Sequence, residues 1–266
     1  PTSDSTYVPM EFKITRSTIR TNPVPYYGIV GNNVGYIVIS TFAIENCSKD
    51  IKKALIELKQ QGAKSIVLDL RGNGGGLLGE AVNVVNFFVP KGKEIVVTKG
   101  KIKQAGTTYK TMNEPVDTEI PLAVLVDGST ASASEIVSGS LQDLDRAIVV
   151  GSRTYGKGLV QVRRQLPYNS SMKVTTAKYY IPSGRCIQAI DYAKRNADGS
   201  VARTPDSLTN VFHTAAGREV RDGGGIRPDV EVKVENFPNI MFYLLNDDMI
   251  FDYATLSLIH ISEPTR

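Results

Sequence analysis

The sequence predicts an α/β fold in which a largely parallel sheet is followed by additional β segments. Between residues 35 and 150, short apolar strands alternate with amphipathic helices at the spacing of βαβ units. Beyond Gly151 the helical periodicity gives way to strands. Hydrophobic residues make up 41% and charged residues 22% of the 266 positions, which is typical of a globular protein with a substantial core. This length suits one large domain or two modest ones.

Each element of the α/β region is predicted from its apolar spacing. Apolar positions recur at helical intervals from Ser48 until Gly62. Ser65–Leu70 is nearly all apolar, a pattern expected where helices cover both faces of a parallel sheet. The predicted order is strand 35–40, helix 48–61, strand 65–70, helix 77–88, a solvated polar hairpin of 95–98 and 103–110, strand 122–126, helix 130–144 and strand 147–150.

The remaining segments are predicted to be strands and loops. Residues 12–15 alternate as a strand, and Pro23 and Pro25 separate it from the α/β region. After Gly151 the sequence predicts strands at 159–163, 173–180 and 229–232, with a polar loop at 191–210.

The composition excludes several kinds of partner and cofactor. The net charge is +4, from 31 basic and 27 acidic residues, but no basic block is present, so nucleic acid is not an expected partner. None of His213, His260, Cys47 and Cys186 has a metal-ligand spacing, so neither a metal nor another cofactor is expected. Whether the cysteines pair is left open. No run approaches the ~18 apolar residues of a membrane span.

A serine-rich segment between a buried strand and a helix is the first candidate for chemistry. Residues 127–135 read DGSTASASE. Ligands gather at the carboxyl ends of strands in open α/β sheets, and the first turn of a helix offers free N–H groups. A serine hydroxyl there is placed to attack a carbonyl, although serine and threonine also serve as ordinary helix caps.

Two glycine-rich turns are the next candidates. Gly72–Gly76 contains four glycines after a predicted strand, where backbone N–H groups can stabilise an oxyanion. The spacing matches neither a dinucleotide fingerprint nor a phosphate-binding loop. Residues 223–229 form a second such turn, for which a purely structural role is equally expected.

A lysine between two glycines is the last candidate for chemistry. Lys157 lies in the segment RTYGKGLVQ, and flanking glycines allow backbone to pack closely around its amine. A desolvated amine gives up its proton more easily and can act as a general base. Gln161 follows four residues later on the same face of a strand and can hold the amine. A serine nucleophile, a lysine base and N–H donors together predict a hydrolase without histidine or metal.

These stretches resemble the carboxy-terminal processing proteases, the S41 family of serine peptidases with a Ser/Lys catalytic pair. The sequence is most similar to a fragment of a bacterial, Bacteroidetes-like member. The matching stretches run in the family's order between about residues 8 and 254; they are LDLRGNGGG at 68–76, TASASEI at 130–136, LQD at 141–143, residues 151–161, YIPSGRCIQ at 180–188 and residues 223–229.

The resemblance implies a Clp-protease/crotonase-like core, a ββα-type spiral, and assigns site residues. Ser132 would be the nucleophile, Lys157 the general base, and Gln161 the residue that orients the lysine. The backbone amides of Ala133 and Gly75 would form the oxyanion hole, with Gly74 or Gly76 as alternatives to Gly75. For Asp143 and Glu135, which match acidic positions of the motif, structural support is as much expected as catalysis.

The resemblance also implies a domain organisation and a setting. Residues 1–27 would be the end of a PDZ domain and a linker, 28–254 the protease core, and 255–266 a non-native tail. Substrates would be proteins or peptides, engaged through C-terminal segments, and the chain would reach a membrane only through an N-terminal anchor that it lacks. The family's usual place is the bacterial envelope, and an oligomer is compatible with the sequence.

Two other functions remain open at this point. A peptide-binding or scaffold protein on the same fold would keep idle catalytic residues. A crotonase-like enzyme would use the glycine loop to stabilise an acyl-thioester, although the sequence has no nucleotide-binding feature.

Overall fold

The centre of the molecule is a six-stranded sheet with the order β1-β2-β3-β6-β7-β14. It is seen in a computed structural model that describes residues 12–17, 19, 21–101, 106–195, 198–233 and 238–262. Its strands are β1 (Tyr26–Val30), β2 (Val34–Val38), β3 (Ser65–Asp69), β6 (Leu122–Val126), β7 (Ile148–Gly151) and β14 (Val230–Glu231). Only β1 pairs antiparallel in this sheet, and the other neighbours pair parallel. The mixed α/β class is confirmed.

Three helices cover one face of this sheet. They are α1 (Cys47–Gln60), α2 (Leu78–Asn86) and α3 (Ala133–Asp143), and α2 packs against both α1 and α3. Helices on opposite faces of a sheet cannot contact one another, so the predicted two-sided covering is wrong. In β3, Ile66 and Leu68 are fully buried, whereas Val67 between them is only half-buried. The apolar run of β3 therefore reflects β propensity as well as burial.

A second sheet of four strands lies beside the first, with the order β5-β4-β9-β8. Its strands are β4 (Glu94–Gly100), β5 (Thr107–Lys110), β8 (Leu159–Leu166) and β9 (Ser170–Tyr180). The predicted hairpin of β4 and β5 exists, but it is not a solvated ribbon. Ile95 and Val96 are fully buried, and β4 also pairs with β9. The predicted residues 103–105 lie outside the described residues.

Short elements complete the chain and correct two predictions. The predicted polar loop 191–210 contains a hairpin of β10 (Ile190–Arg195) and β11 (Val201–Arg203) and a short 3₁₀ helix, Asp206–Leu208. Residues 12–15 form no strand. The other elements are the hairpin of β12 (Val211–His213) and β13 (Glu219–Arg221), and the helices α4 (Asn239–Asn246) and α5 (Met249–Ser262). Among the described residues, no helix has the length and apolar character to cross a membrane.

Candidate active site

The two predicted loops meet at the carboxyl edge of the six-stranded sheet. β3 and β6 are parallel neighbours, so the glycine loop after β3 and the serine segment after β6 emerge side by side. The Gly72 amide donates to both carboxylate oxygens of Asp127 at 3.1 Å. The Asn73 carbonyl accepts from the Ala131 amide and from the Ser134 hydroxyl, each at 3.0 Å. These contacts fix one loop against the other.

Ser132 stands immediately before α3, in a strained backbone conformation. Its φ of 59° and ψ of −116° lie in a region that residues other than glycine rarely adopt. Such a conformation typically costs about 1–3 kcal/mol and persists only where surrounding contacts impose it. The side chain projects at the start of a helix whose residues are all buried, where the amide of Ala133 is one of the donors that helix geometry leaves free.

Glu135 supplies some of the contacts that hold Ser132 in this backbone conformation. Its carboxylate accepts hydrogen bonds from the Ser132 amide at 2.8 Å and from the Lys157 amide at 2.8 Å. It also accepts from the Gly156 amide at 2.8 Å and the Thr154 hydroxyl at 2.5 Å. Burial raises the pKa of this carboxyl, and the four donors act in the opposite direction. A buried carboxylate therefore joins the backbone of the nucleophile segment to that of the lysine segment.

Tyr179 makes a matching connection through the carbonyl groups. Its hydroxyl donates to the carbonyl oxygen of Lys157 and lies 3.2 Å from that of Ser132. The tyrosine is 2% exposed, and burial raises its pKa far above its ordinary value, so it remains a neutral donor. Glu135 and Tyr179 thus hold the same two residues, one through their N–H groups and the other through their carbonyls.

A cavity of about 320 Å³ opens beside these residues. It brings together Ser132, Ala133, Lys157 and Gln161 of the predicted site. The remaining lining is mostly apolar, and comprises Gly76, Leu77, Leu78, Ile136, Leu159, Val160, Lys173 and Tyr179. Apolar side chains beside the serine suit an uncharged group of a ligand.

The side chains of the predicted dyad share this cavity without a direct bond. Within the part of the chain that the structure describes, no hydrogen bond joins Ser132 Oγ to Lys157 Nζ. Gln161 Nε2 donates to the Thr175 hydroxyl at 3.4 Å rather than contacting the amine. Catalytic hydrogen bonds are often long or absent in ligand-free enzymes and tighten when substrate binds.

The glycine loop differs from its prediction in one residue. The Gly75 amide donates to Asn73 Oδ1 at 2.9 Å and is therefore not free to bind an oxyanion. For the amides of Gly76 and Ala133, no hydrogen bond is recorded with any described residue, and both residues line the cavity. Gly75 instead allows a close approach, because a Cβ there would lie 2.8 Å from the Ala133 nitrogen.

Comparison with known proteins shows the family of this chain. Residues 33–194, which are more than half of the chain, match the model of peptidase family S41. The chain belongs to peptidase family S41. A carboxyl-terminal-processing protease of Synechocystis is 42% identical over 192 residues, which are 71% of this chain and 44% of that protein.

Solved structures of the S41 family share the fold. The photosystem II D1 C-terminal processing protease superposes with a TM-score of 0.61 at 30% identity, over 84% of this chain and 52% of that one. A Bacteroides fragilis protein described as an S41 protease superposes with a TM-score of 0.57 at 18% identity, over 82% of this chain and 52% of that one. The chain spans about half the length, or less, of each of these relatives.

One acidic position of the S41 motif is structural in this chain. Asp143 and Arg185 form an ion pair of 2.7 Å with side chains 0% and 1% exposed. Asp143 also accepts the Ser183 amide at 3.0 Å, and Arg185 donates to Gln142 Oε1 at 2.8 Å. Burial raises the pKa of Asp143 and lowers that of Arg185. The pair fastens the C-terminal end of α3 to the segment after β9, and it does not line the cavity.

Sequence reasoning did not single out Tyr179 and Arg185, although Arg185 lies within the S41-like stretch 180–188 and Tyr179 directly precedes it. Their partners are far along the chain, 47 residues away for Tyr179 and Ser132 and 43 for Arg185 and Gln142. A buried tyrosine needs a partner for its hydroxyl and a buried arginine needs an acid, and these general requirements were the available signal.

Proposed function

We propose that this chain is a serine endopeptidase that cleaves peptide bonds through Ser132 and Lys157. The observation that carries the proposal is the shared cavity, which is lined by Ser132, Lys157, Ala133 and Gly76; among the described residues the amides of the last two have no hydrogen-bond partner. Membership in a peptidase family supports the reaction class.

The reaction follows from these positions. Ser132 Oγ attacks the peptide carbonyl carbon while neutral Lys157 Nζ takes the hydroxyl proton. The oxyanion receives hydrogen bonds from the amides of Ala133 and Gly76, with Gly76 replacing Gly75 in that role. The lysine returns its proton to the leaving amine, which departs and leaves an acyl-serine. Water, deprotonated by the same lysine, then hydrolyses the ester. Gln161 lines the same cavity and would orient the amine once substrate displaces its amide from Thr175.

The test uses paired substitutions. Ser132→Ala and Lys157→Ala should each lower cleavage of an unfolded protein substrate by at least about 10³-fold, because each removes one member of a unit. Ser129→Ala changes an exposed serine of the same loop, and Lys178→Ala changes an exposed lysine of β9; both should cleave as the unsubstituted chain does. Circular dichroism checks that all four variants are folded.

Three results would contradict the proposal. They are retained cleavage in Ser132→Ala, retained cleavage in Lys157→Ala, and a folded, unsubstituted chain that binds peptides without cutting them. The last result would favour the scaffold protein, and binding of coenzyme A measured by calorimetry would favour the acyl-thioester enzyme.

We also propose which part of the substrate is processed and where in the cell the protein acts. Processing of C-terminal segments is the activity in the names of the similar proteases, and the envelope location follows from the resemblance of the sequence alone. Fractionation of cells that produce the full-length protein should find it outside the cytoplasm, and recovery in the cytoplasmic fraction would contradict the proposed location without touching the catalytic proposal.

A further inference from the structure

Two basic side chains of the β8–β9 hairpin face each other beside the cavity. Arg163 lies directly opposite Lys173 in the antiparallel register, both are exposed, and Lys173 lines the cavity that contains Ser132. Directly opposite residues project to the same face of a sheet, and like charges at such positions destabilise the pairing. The hairpin thus carries two repelling charges next to the nucleophile.

Lys173 lines the cavity, and the strand register places Arg163 on the same face of the hairpin as Lys173. Arg163 shares a face of β8 with Gln161, two residues earlier, which also lines the cavity. Thr175, opposite Gln161, shares a face of β9 with Lys173. Arg164 projects to the other face, where it lies opposite Met172. The hairpin therefore offers an internal comparison between two neighbouring arginines.

No carboxylate of the hairpin or the cavity neutralises this pair. The sequence has no aspartate or glutamate between Arg146 and Ile190. The cavity lining contains the basic residues Lys157 and Lys173 and no aspartate or glutamate. The ion pairs among the described residues involve neither Arg163 nor Lys173. The nearby carboxylate of Glu135 is buried and already accepts four hydrogen bonds.

We propose that Arg163 and Lys173 form a subsite that binds a carboxylate of the peptide substrate. The inference rests on the proposed peptidase function and adds a substrate class to it. A guanidinium and an ammonium on one face bind a carboxylate through charge-assisted hydrogen bonds and remove their mutual repulsion. Because a strand rises about 3.3 Å per residue, Arg163 lies roughly two residues beyond the part of β8 that lines the cavity.

The carboxylate has two sources, an acidic side chain or the C-terminus of the substrate, and a set of four peptides separates them. The peptides share one apolar sequence with an N-terminal dansyl group, which is uncharged at neutral pH. They carry glutamate or glutamine at one position and end in a free or an amidated C-terminus. Binding is measured by fluorescence anisotropy in the Ser132→Ala chain, so that no cleavage occurs. Cleavage of the same peptides is measured in the chain with Ser132 present.

Arg163→Gln combined with Lys173→Gln should lower the affinity for the preferred carboxylate peptide about tenfold and leave the affinity for the uncharged peptide unchanged. Arg164→Gln removes the same charge from the other face and should keep the preference. A preference for glutamate over glutamine identifies the side-chain source, and one for the free over the amidated end identifies the terminus. Arg163→Gln alone is the second variant if the double variant does not fold.

Three results would overturn the subsite. They are equal affinity for all four peptides, an unchanged preference in the double variant, and an equal loss in Arg164→Gln. Because affinity is measured without the nucleophile, failure of the chain to cleave any peptide would count against the peptidase proposal alone.

Discussion

The hydroxyl of the buried Tyr179 donates a hydrogen bond to the carbonyl oxygen of Lys157. The same oxygen atom of the tyrosine lies 3.2 Å from the Ser132 carbonyl. The proposed nucleophile and base are therefore linked through their backbones, by a side chain that takes no proton in the reaction.

Removal of this hydroxyl should slow the chemistry without weakening substrate binding. Tyr179→Phe keeps the ring that lines the cavity and deletes the link to both carbonyls, so we expect kcat to fall about ten- to a hundredfold with KM nearly unchanged. Tyr180→Phe is the matched control, because the recorded contact of Tyr180 is a cation–π contact with Lys99. Steady-state kinetics on one peptide measures both. Equal kcat values in the two variants would show that the link has no catalytic consequence.

A methyl group at Gly75 should displace the proposed oxyanion donor. In Gly75→Ala the added Cβ would lie 2.6 Å from the Ala131 oxygen and 2.8 Å from the Ala133 nitrogen, at a φ of +97° that alanine disfavours. We expect kcat/KM to fall at least about a hundredfold. Gly79→Ala, in α2, meets no atom within 4 Å and should leave kcat/KM unchanged. Activity in Gly75→Ala equal to that in Gly79→Ala would contradict the assigned geometry.

Glu135 should make the stability of the chain depend on pH. Burial raises its pKa in the folded state, so the folded state binds a proton more tightly than the unfolded state does. Stability should therefore fall as pH rises from the ordinary glutamate pKa of about 4.3 through the raised value. Urea unfolding between pH 4 and pH 7 measures this slope. It should be smaller in Glu135→Gln and unchanged in Glu119→Gln, whose carboxyl is exposed; an unchanged slope in Glu135→Gln would contradict the prediction.

Loss of one partner of the buried ion pair should destabilise the fold strongly. Arg185→Met leaves the Asp143 carboxylate buried without its cation, which typically costs about 3–5 kcal/mol of unfolding free energy. Adding Asp143→Asn should recover part of the lost unfolding free energy, because the unpaired buried charge is then removed. Lys53→Met breaks an exposed pair with Glu57 and should change the free energy little. Urea unfolding tests all three, and a small loss in Arg185→Met would mean that water reaches Asp143.

The two cysteines should remain thiols that react slowly in the native state. Burial raises the pKa of Cys47 to about 12, with the Glu80 carboxylate acting in the same direction, and burial also raises that of Cys186. At pH 8 only about 10⁻⁴ of Cys47 would be the reactive thiolate. Mass spectrometry after iodoacetamide treatment should find Cys47 unmodified until urea is added. Fast labelling of Cys47 in the native chain would contradict its burial.

Local patterns in the sequence predicted the elements that carry the site. The spacing of apolar residues predicted two strand–loop–helix units, and both are confirmed. They are the strand, glycine loop and helix at 65–88 and the strand, serine segment and helix at 122–144. Three features were not predicted correctly. They are the helices on only one face of the six-stranded sheet, the burial of the hairpin at 95–110 and the strands within 191–210. Those features depend on which distant segment a strand meets, and β4 meets both β9 and α3 in addition to its hairpin partner β5.

The candidate site shows the same difference between what local sequence patterns predict and what distant contacts decide. Ser132 and Lys157 were singled out because glycines and small residues surround them in the sequence. The engaged amide of Gly75 depends on the rotamer of Asn73, which the sequence does not reveal. Tyr179 and Arg185 act through contacts that lie 22 to 47 residues away, which no short motif encodes.

The link from Tyr179 to Ser132 and Lys157 has a consequence for how the protein is made. During synthesis the nucleophile segment leaves the ribosome first, the lysine follows 25 residues later, and the tyrosine that aligns them follows after 22 more. A nascent or truncated chain that ends before β9 would hold both reacting groups without their alignment. The proposed proteolytic activity would then appear only after the second sheet has formed, and an incomplete chain would not cleave other proteins.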